Sequence, residues 1–378
     1  MEDSRQEQEQ QRLSLELLPA ELQLAILERL SSCEDLTSLT IASRSYHNQY
    51  IAYKKGVLSQ VTQNILGDSF VDACMLHRWR RTLGTYHPSS TLDTGHGLST
   101  DAVDAQQWPR GPYRHVQLKF LHDCDSYALL DAEKQVALMR GLLTLEDFSQ
   151  VLSFQHQVVR PLSELYAKSF TVRRTVRTDW DHWDTVPDPH CTPATKMLRV
   201  TRALYRFQAC CQLYGHKATP EENGIVDLGN SQCFAMARDF FGRFDAVEKE
   251  ELYTVYSLAA FDAQRYFGIL RYNHDWRAVL LQRRAQAGAR RFIDYNMVTS
   301  EPVGYSGVTA GVISQGLELL SRAGRCESDE DELAAVLVAS DPPQLDNFMW
   351  DALMLLRDKG EFTTQWPESW SEHLSFWM

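Results

Sequence analysis

Leu15-Glu16-Leu17-Leu18-Pro19-Ala20-Glu21-Leu22-Gln23-Leu24-Ala25-Ile26-Leu27-Glu28-Arg29-Leu30 is followed at once by a second apolar cassette, Asp35-Leu36-Thr37-Ser38-Leu39-Thr40-Ile41-Ala42-Ser43-Arg44-Ser45-Tyr46. Pro19 suits the start of a helix, because the first helical N–H groups have no intrahelical partner anyway. Leu18, Leu22, Ile26 and Leu30 recur every four residues and define one expected apolar stripe. Ser32, three residues before Asp35, predicts an N-cap that restarts the chain as a second helix. So many apolar positions on two or three short helices cannot all be buried on each other. The surplus implies docking against something else.

The pattern resembles the F-box, the helical module that attaches substrate receptors to the Skp-type adaptor of cullin–RING ubiquitin ligases. The likeness is carried by Leu18-Pro19 and Glu21, by Leu22, Ile26 and Leu30, by Asp35-Leu36 and Leu39, and by Ser43-Arg44-Ser45-Tyr46. Tyr46 stands where the family usually has Trp, which keeps the ring and loses the indole. The resemblance spans about residues 13–55. It implies that Leu18, Pro19, Leu22, Ile26, Leu30, Leu36, Leu39 and Tyr46 bind the adaptor, with no cofactor and no chemistry in this chain. Further on, Arg202-Ala203-Leu204-Tyr205-Arg206-Phe207, Leu213-Tyr214-Gly215, Phe240-Phe241 and Glu248-Lys249-Glu250-Glu251-Leu252 resemble the helical C-terminal region of fungal F-box-like proteins. That second likeness implies a substrate-facing domain for an unknown target protein.

The 378 residues suffice for two or three domains, and 44% apolar with 23% charged residues lies within the globular range. A net charge of −12 argues against general affinity for nucleic acid or an anionic membrane. Arg277, Arg283, Arg284, Arg290 and Arg291 fall in a stretch free of acid, and Glu327, Asp329, Glu330, Asp331 and Glu332 form an acidic run. Both read as solvated faces. The eight cysteines contain no Cys-x-x-Cys pair, so neither a zinc ribbon nor a thioredoxin-type site is signalled. With no sequon, no apolar signal core and no membrane-length apolar run, the expected home is the cytoplasm or nucleus.

The expected organisation is all-α. It has a disordered tail over residues 1–12, an F-box-like module over 13–83, a linker over 84–112 and a larger irregular helical domain over 113–378. Within the module a third helix is expected from Asn48 to Leu66, ended by Gly67-Asp68-Ser69, and a fourth from Phe70 to Leu83 with Met75, Leu76 and Trp79 inward. The later domain should hold helices over Thr144–Val159, Thr195–Tyr214, Arg277–Tyr295, Val308–Leu320, Glu330–Val338 and Leu345–Leu356. A further one should start at an Asp245/Glu248 capping box and run to Tyr272. Residues 178–193 read as a loop, and no sheet is required. No repeat emerges that would name a recognition surface.

Catalytic signatures are sparse. Gly304-Tyr305-Ser306-Gly307-Val308 misses the last glycine of a nucleophile elbow, and no phosphate-binding loop is present. Asp179-Trp180-Asp181-His182-Trp183-Asp184 with His190-Cys191 has the donors for a divalent metal or for acid–base work. Alternate residues of an extended segment point to opposite sides, however, and Pro187, Pro189 and Pro193 favour a structured loop. Three functions therefore stay open: an F-box-like receptor, a helical enzyme using the 179–191 loop, and a stand-alone helical regulator that has lost the adaptor.

Overall fold

Two serines divide the first helices. In the computed structural model Ser32 Oγ accepts the Asp35 N–H at 2.9 Å, and Ser43 Oγ accepts the Tyr46 N–H. The chain thus runs from a 3₁₀ turn (Leu15–Leu17) into α1 (Ala20–Arg29), α2 (Cys33–Ala42) and α3 (Arg44–Leu66). Helix α3 starts earlier than the periodicity predicts and bends at Tyr53, whose φ of −119° and ψ of 24° leave the helical region. It ends at Gly67, whose φ of 52° is a left-handed conformation that a side chain disfavours. Helix α4 (Phe70–Thr85) follows, with Met75, Leu76 and Trp79 buried as expected.

The structure describes residues 15–85, 119–120, 122–127, 129–169, 173–177, 183–187, 192–214, 238–270, 273, 312–313, 315–340, 353 and 356. The expected tail, nearly all of the linker, the 277–295 helix and the 304–308 motif lie outside them, as do Asp179 to His182, His190 and Cys191.

The described residues are helical nearly throughout, and they form two compact units. The first comprises residues 1–82 and 126–154. It adds α5 (Ala132–Leu142) and α6 (Leu145–Phe154) to the first four helices. Helices α1, α2 and α6 all pack on α3. Phe70 stacks on Phe148 with ring centroids 6.5 Å apart, and Arg140 donates to Gln60 Oε1 at 2.6 Å. This division differs from the expected one, which gave residues 113–378 to the second domain. The reason lies in α6: Phe148, Val151 and Leu152 are one apolar face, buried in the first unit.

The second unit comprises residues 83–125 and 155–378. A π-turn (Gln155–Val159) leads into α7 (Arg160–Ser169), so the expected Thr144–Val159 helix is two segments of different pitch. After α7 comes an antiparallel hairpin of β1 (Arg173–Arg177) and β2 (Trp183–Pro187), pairing Thr175 with Thr185 and Val176 with Asp184. Part of the expected 178–193 loop is therefore a strand. Its β-branched residues fall in two short runs that a search for regularly spaced strands passes over. Helices α8 (Pro193–Tyr214) and α9 (Ala246–Ile269) pack on each other. Asp245 and Glu248 form the expected reciprocal cap of α9 at 2.8 and 3.2 Å. Leu252, Val255, Tyr256, Ala259, Ala263, Tyr266 and Leu270 are all buried, as expected. Gly316 breaks the expected 308–320 helix, after which come α10 (Leu317–Arg325) and α11 (Glu330–Ser340).

Candidate docking surface

The head of the first unit, residues 15–22, turns leucines toward solvent. Leu15 is 57% exposed, Leu17 81% and Leu22 51%, and Pro19 is exposed beside them. Leu18, Ile26, Leu30 and Leu39 are half-buried. Leu36 and Tyr46 are 5% and 0% exposed, so these two expected contacts are buried in the core of the unit in this structure. The expected stripe of α1 is also rotated by one residue, because the buried positions are Gln23 and Leu27. A four-residue step fits 18/22/26/30 and 23/27 alike, so periodicity alone cannot choose between neighbouring faces. Ile41, at the end of α2, is 80% exposed and was not among the expected contacts; nor were Leu15 and Leu17.

The reason that leucines face outward is polar. Gln23 is 3% exposed, and its Nε2 donates to the carbonyls of Glu16 and Leu18, each at 3.0 Å. Ser45 Oγ donates to Gln23 Oε1 at 2.7 Å, and Tyr46 Oη donates a long bond of 3.4 Å to the Leu15 carbonyl. At the other end of α1, Asn64 Nδ2 donates to the carbonyls of Glu28 and Leu30 at 2.8 Å, closing the helix terminus. The head is thus held by its backbone, while Leu15, Leu17, Pro19 and Leu22 face solvent.

The buried carboxylates Asp147, Glu251 and Asp262 are paired within their own units. Asp147 binds His77 and Arg81 in the first. In the second, Glu251 takes Arg202 at 3.0 Å and also Arg199, and Glu248 takes Arg206 at 2.7 Å. Asp262 accepts from Tyr166 Oη at 2.9 Å and pairs with Arg265 at 3.1 Å. Burial raises the Asp262 carboxyl, with Arg265 and the Tyr166 hydroxyl opposing it. Burial also pushes the thiols of Cys74, Cys210 and Cys211 up, which suits packing and not nucleophilic attack. Among the described residues no group of three His, Cys, Asp or Glu side chains could hold a metal ion. Among them, too, no helix is long and apolar enough to cross a membrane.

What this arrangement can do is present an apolar edge with a fixed backbone to another protein. Compared with protein-family models, curated proteins and solved structures, the chain matches none.

Proposed function

We propose that the first unit docks through its head on a Skp-type adaptor, and that the chain serves as a substrate receptor of a cullin–RING ubiquitin ligase in the cytoplasm or nucleus. The observation that carries this reading is the outward row Leu15, Leu17, Pro19 and Leu22, set beside a helix whose inner face is already filled by Gln23 and Leu27. Apolar side chains kept out of a neighbouring core are anchors for a partner's groove. Ubiquitin transfer belongs to the recruited enzymes. This chain contributes proximity and orientation, and the second unit is the part that faces the target protein. A stand-alone helical scaffold is the second reading; the burial of Leu36 and Tyr46, two residues that the resemblance assigns to the adaptor, favours it.

Titrating the full-length chain with a purified Skp-type adaptor separates the two. The receptor reading expects micromolar or tighter binding, weakened at least about tenfold by Leu17→Ala with Leu22→Ala, since about 1.4 kcal/mol suffices. The melting temperature should scarcely move, because exposed residues contribute little to folding. A wild-type chain that leaves the adaptor unbound at micromolar concentration would overturn the receptor reading and leave the scaffold.

A further inference from the structure

Gln23 is an unusual choice for the inner face of a short amphipathic helix. Burying an amide costs free energy unless each donor and acceptor finds a partner. Here the two N–H donors of Nε2 meet the carbonyls of Glu16 and Leu18, and Oε1 receives the Ser45 hydroxyl. The orientation of the amide follows from its neighbours, because both carbonyls can only accept. These bonds reach seven, five and twenty-two residues along the chain, so one side chain ties the 3₁₀ turn and Leu18 to the start of α3. Tyr46, the next residue after Ser45, adds its longer bond to the carbonyl of Leu15.

Resting on the docking reading above, we infer that Gln23 is a positioning residue: its amide clasp with Ser45 sets the backbone of residues 15–18 so that Leu15, Leu17 and Pro19 stand ready for the adaptor. The geometry distinguishes this from ordinary core packing. A leucine at position 23 would fill similar space and bury more apolar surface, yet it would remove the bonds that Gln23 donates to the carbonyls of Glu16 and Leu18. Without those two bonds the backbone of residues 15–18 loses its tie to α3 through Gln23, and the leucines lose their fixed placement. The clasp commits three partly buried hydrogen bonds to a segment whose own side chains bury little. Preorganisation of that kind acts on affinity through the fraction of molecules already competent to bind.

Gln23→Glu tests the inference in the full-length chain. The carboxylate keeps the acceptor for Ser45 Oγ and replaces both donors with an oxygen facing two carbonyl oxygens. Hydrogen exchange at the amides of Leu18 and Leu22 should accelerate at least about tenfold, while Val57 and Val61 in the core of the unit keep their wild-type rates. Adaptor association should slow at least about tenfold with dissociation nearly unchanged, a split that general loss of folding does not produce. If Gln23→Glu also loosens Val57 and Val61, Ser45→Ala carries the same readouts. It removes one bond only, and about threefold effects are expected. If the wild-type chain ignores the adaptor, the docking reading fails and exchange at residues 15–22 alone decides the clasp. If the wild type binds and the variants match it in exchange and association rate, the clasp is refuted and the docking reading stands.

Discussion

Asp147 is 4% exposed and joins α6 to α4 in the first unit. Its Oδ2 accepts the Thr144 N–H and Oγ–H, both at 2.7 Å, while Oδ1 meets His77 Nε2 at 3.2 Å and Arg81 at 3.1 Å. Burial by itself would raise the carboxyl, but the Thr144, Arg81 and His77 bonds outweigh it and hold the group at about 2, against 3.8 when free. A carboxyl depressed on folding stabilises the native state above pH 3.8 and loses that contribution as the pH falls through about 2. The shift corresponds to about 1–2 kcal/mol once solvent screening at the exposed Arg81 is allowed for. Asp147→Asn should therefore lower the stability of the first unit by about that amount at neutral pH, and its gap to the wild type should close between about pH 4 and about pH 2. Denaturant titrations across that range measure both quantities. A gap of constant size would show that the charge is not what matters. The Thr144/Asp147 pairing joins residues only three apart and was within reach of sequence reasoning. Its partners His77 and Arg81 were not, since they lie about seventy residues earlier in the chain.

At the scale of the element, helix boundaries divide into those set locally and those set by a neighbour. Ser32 and the Asp245/Glu248 box cap their helices through residues three positions away, so the sequence contains the whole interaction. Gly316 is of the other kind. Its φ of 84° and ψ of −166° fall in a region that essentially only glycine occupies, and a Cβ there would collide with the Gln208 amide of α8. That amide is not free to retreat, because its Oε1 accepts the Leu317 N–H at 2.5 Å. Gly316→Ala should cost the second unit roughly 2 kcal/mol or more from backbone strain and displacement of Gln208. Hydrogen exchange would then quicken in α8 and α10 and stay unchanged in α1 and α3; equal acceleration in all four would contradict this account. A single helix was expected from Val308 to Leu320, and the contact that makes Gly316 the break comes from Gln208, about a hundred residues earlier in the chain.

Across the whole molecule, the contiguous N-terminal module expected from sequence gives way to a first unit assembled from residues 1–82 and 126–154. A chain cut after residue 112 lacks Phe148 from beneath Phe70, Asp147 from beside His77 and Arg140 from its contact with Gln60. Such a fragment should unfold at a lower temperature and less cooperatively than the first unit does in the full chain, as followed by circular dichroism and limited proteolysis. A fragment as stable as that unit would mean that α5 and α6 are dispensable to it. The sequence by itself determined what depends on near neighbours: the helical class, the serine and Asp–Glu caps, and the apolar stripe of α9, because each is an interaction between residues three or four positions apart. It also carried the head with its surplus of leucines. Only the tertiary structure decided which leucines point outward and that Leu36 and Tyr46 are core. It alone made Gln23 the inward residue of α1 and placed α6 in the first unit. Those outcomes depend on which face meets which neighbour, and helical periodicity leaves that choice undetermined by one residue in either direction.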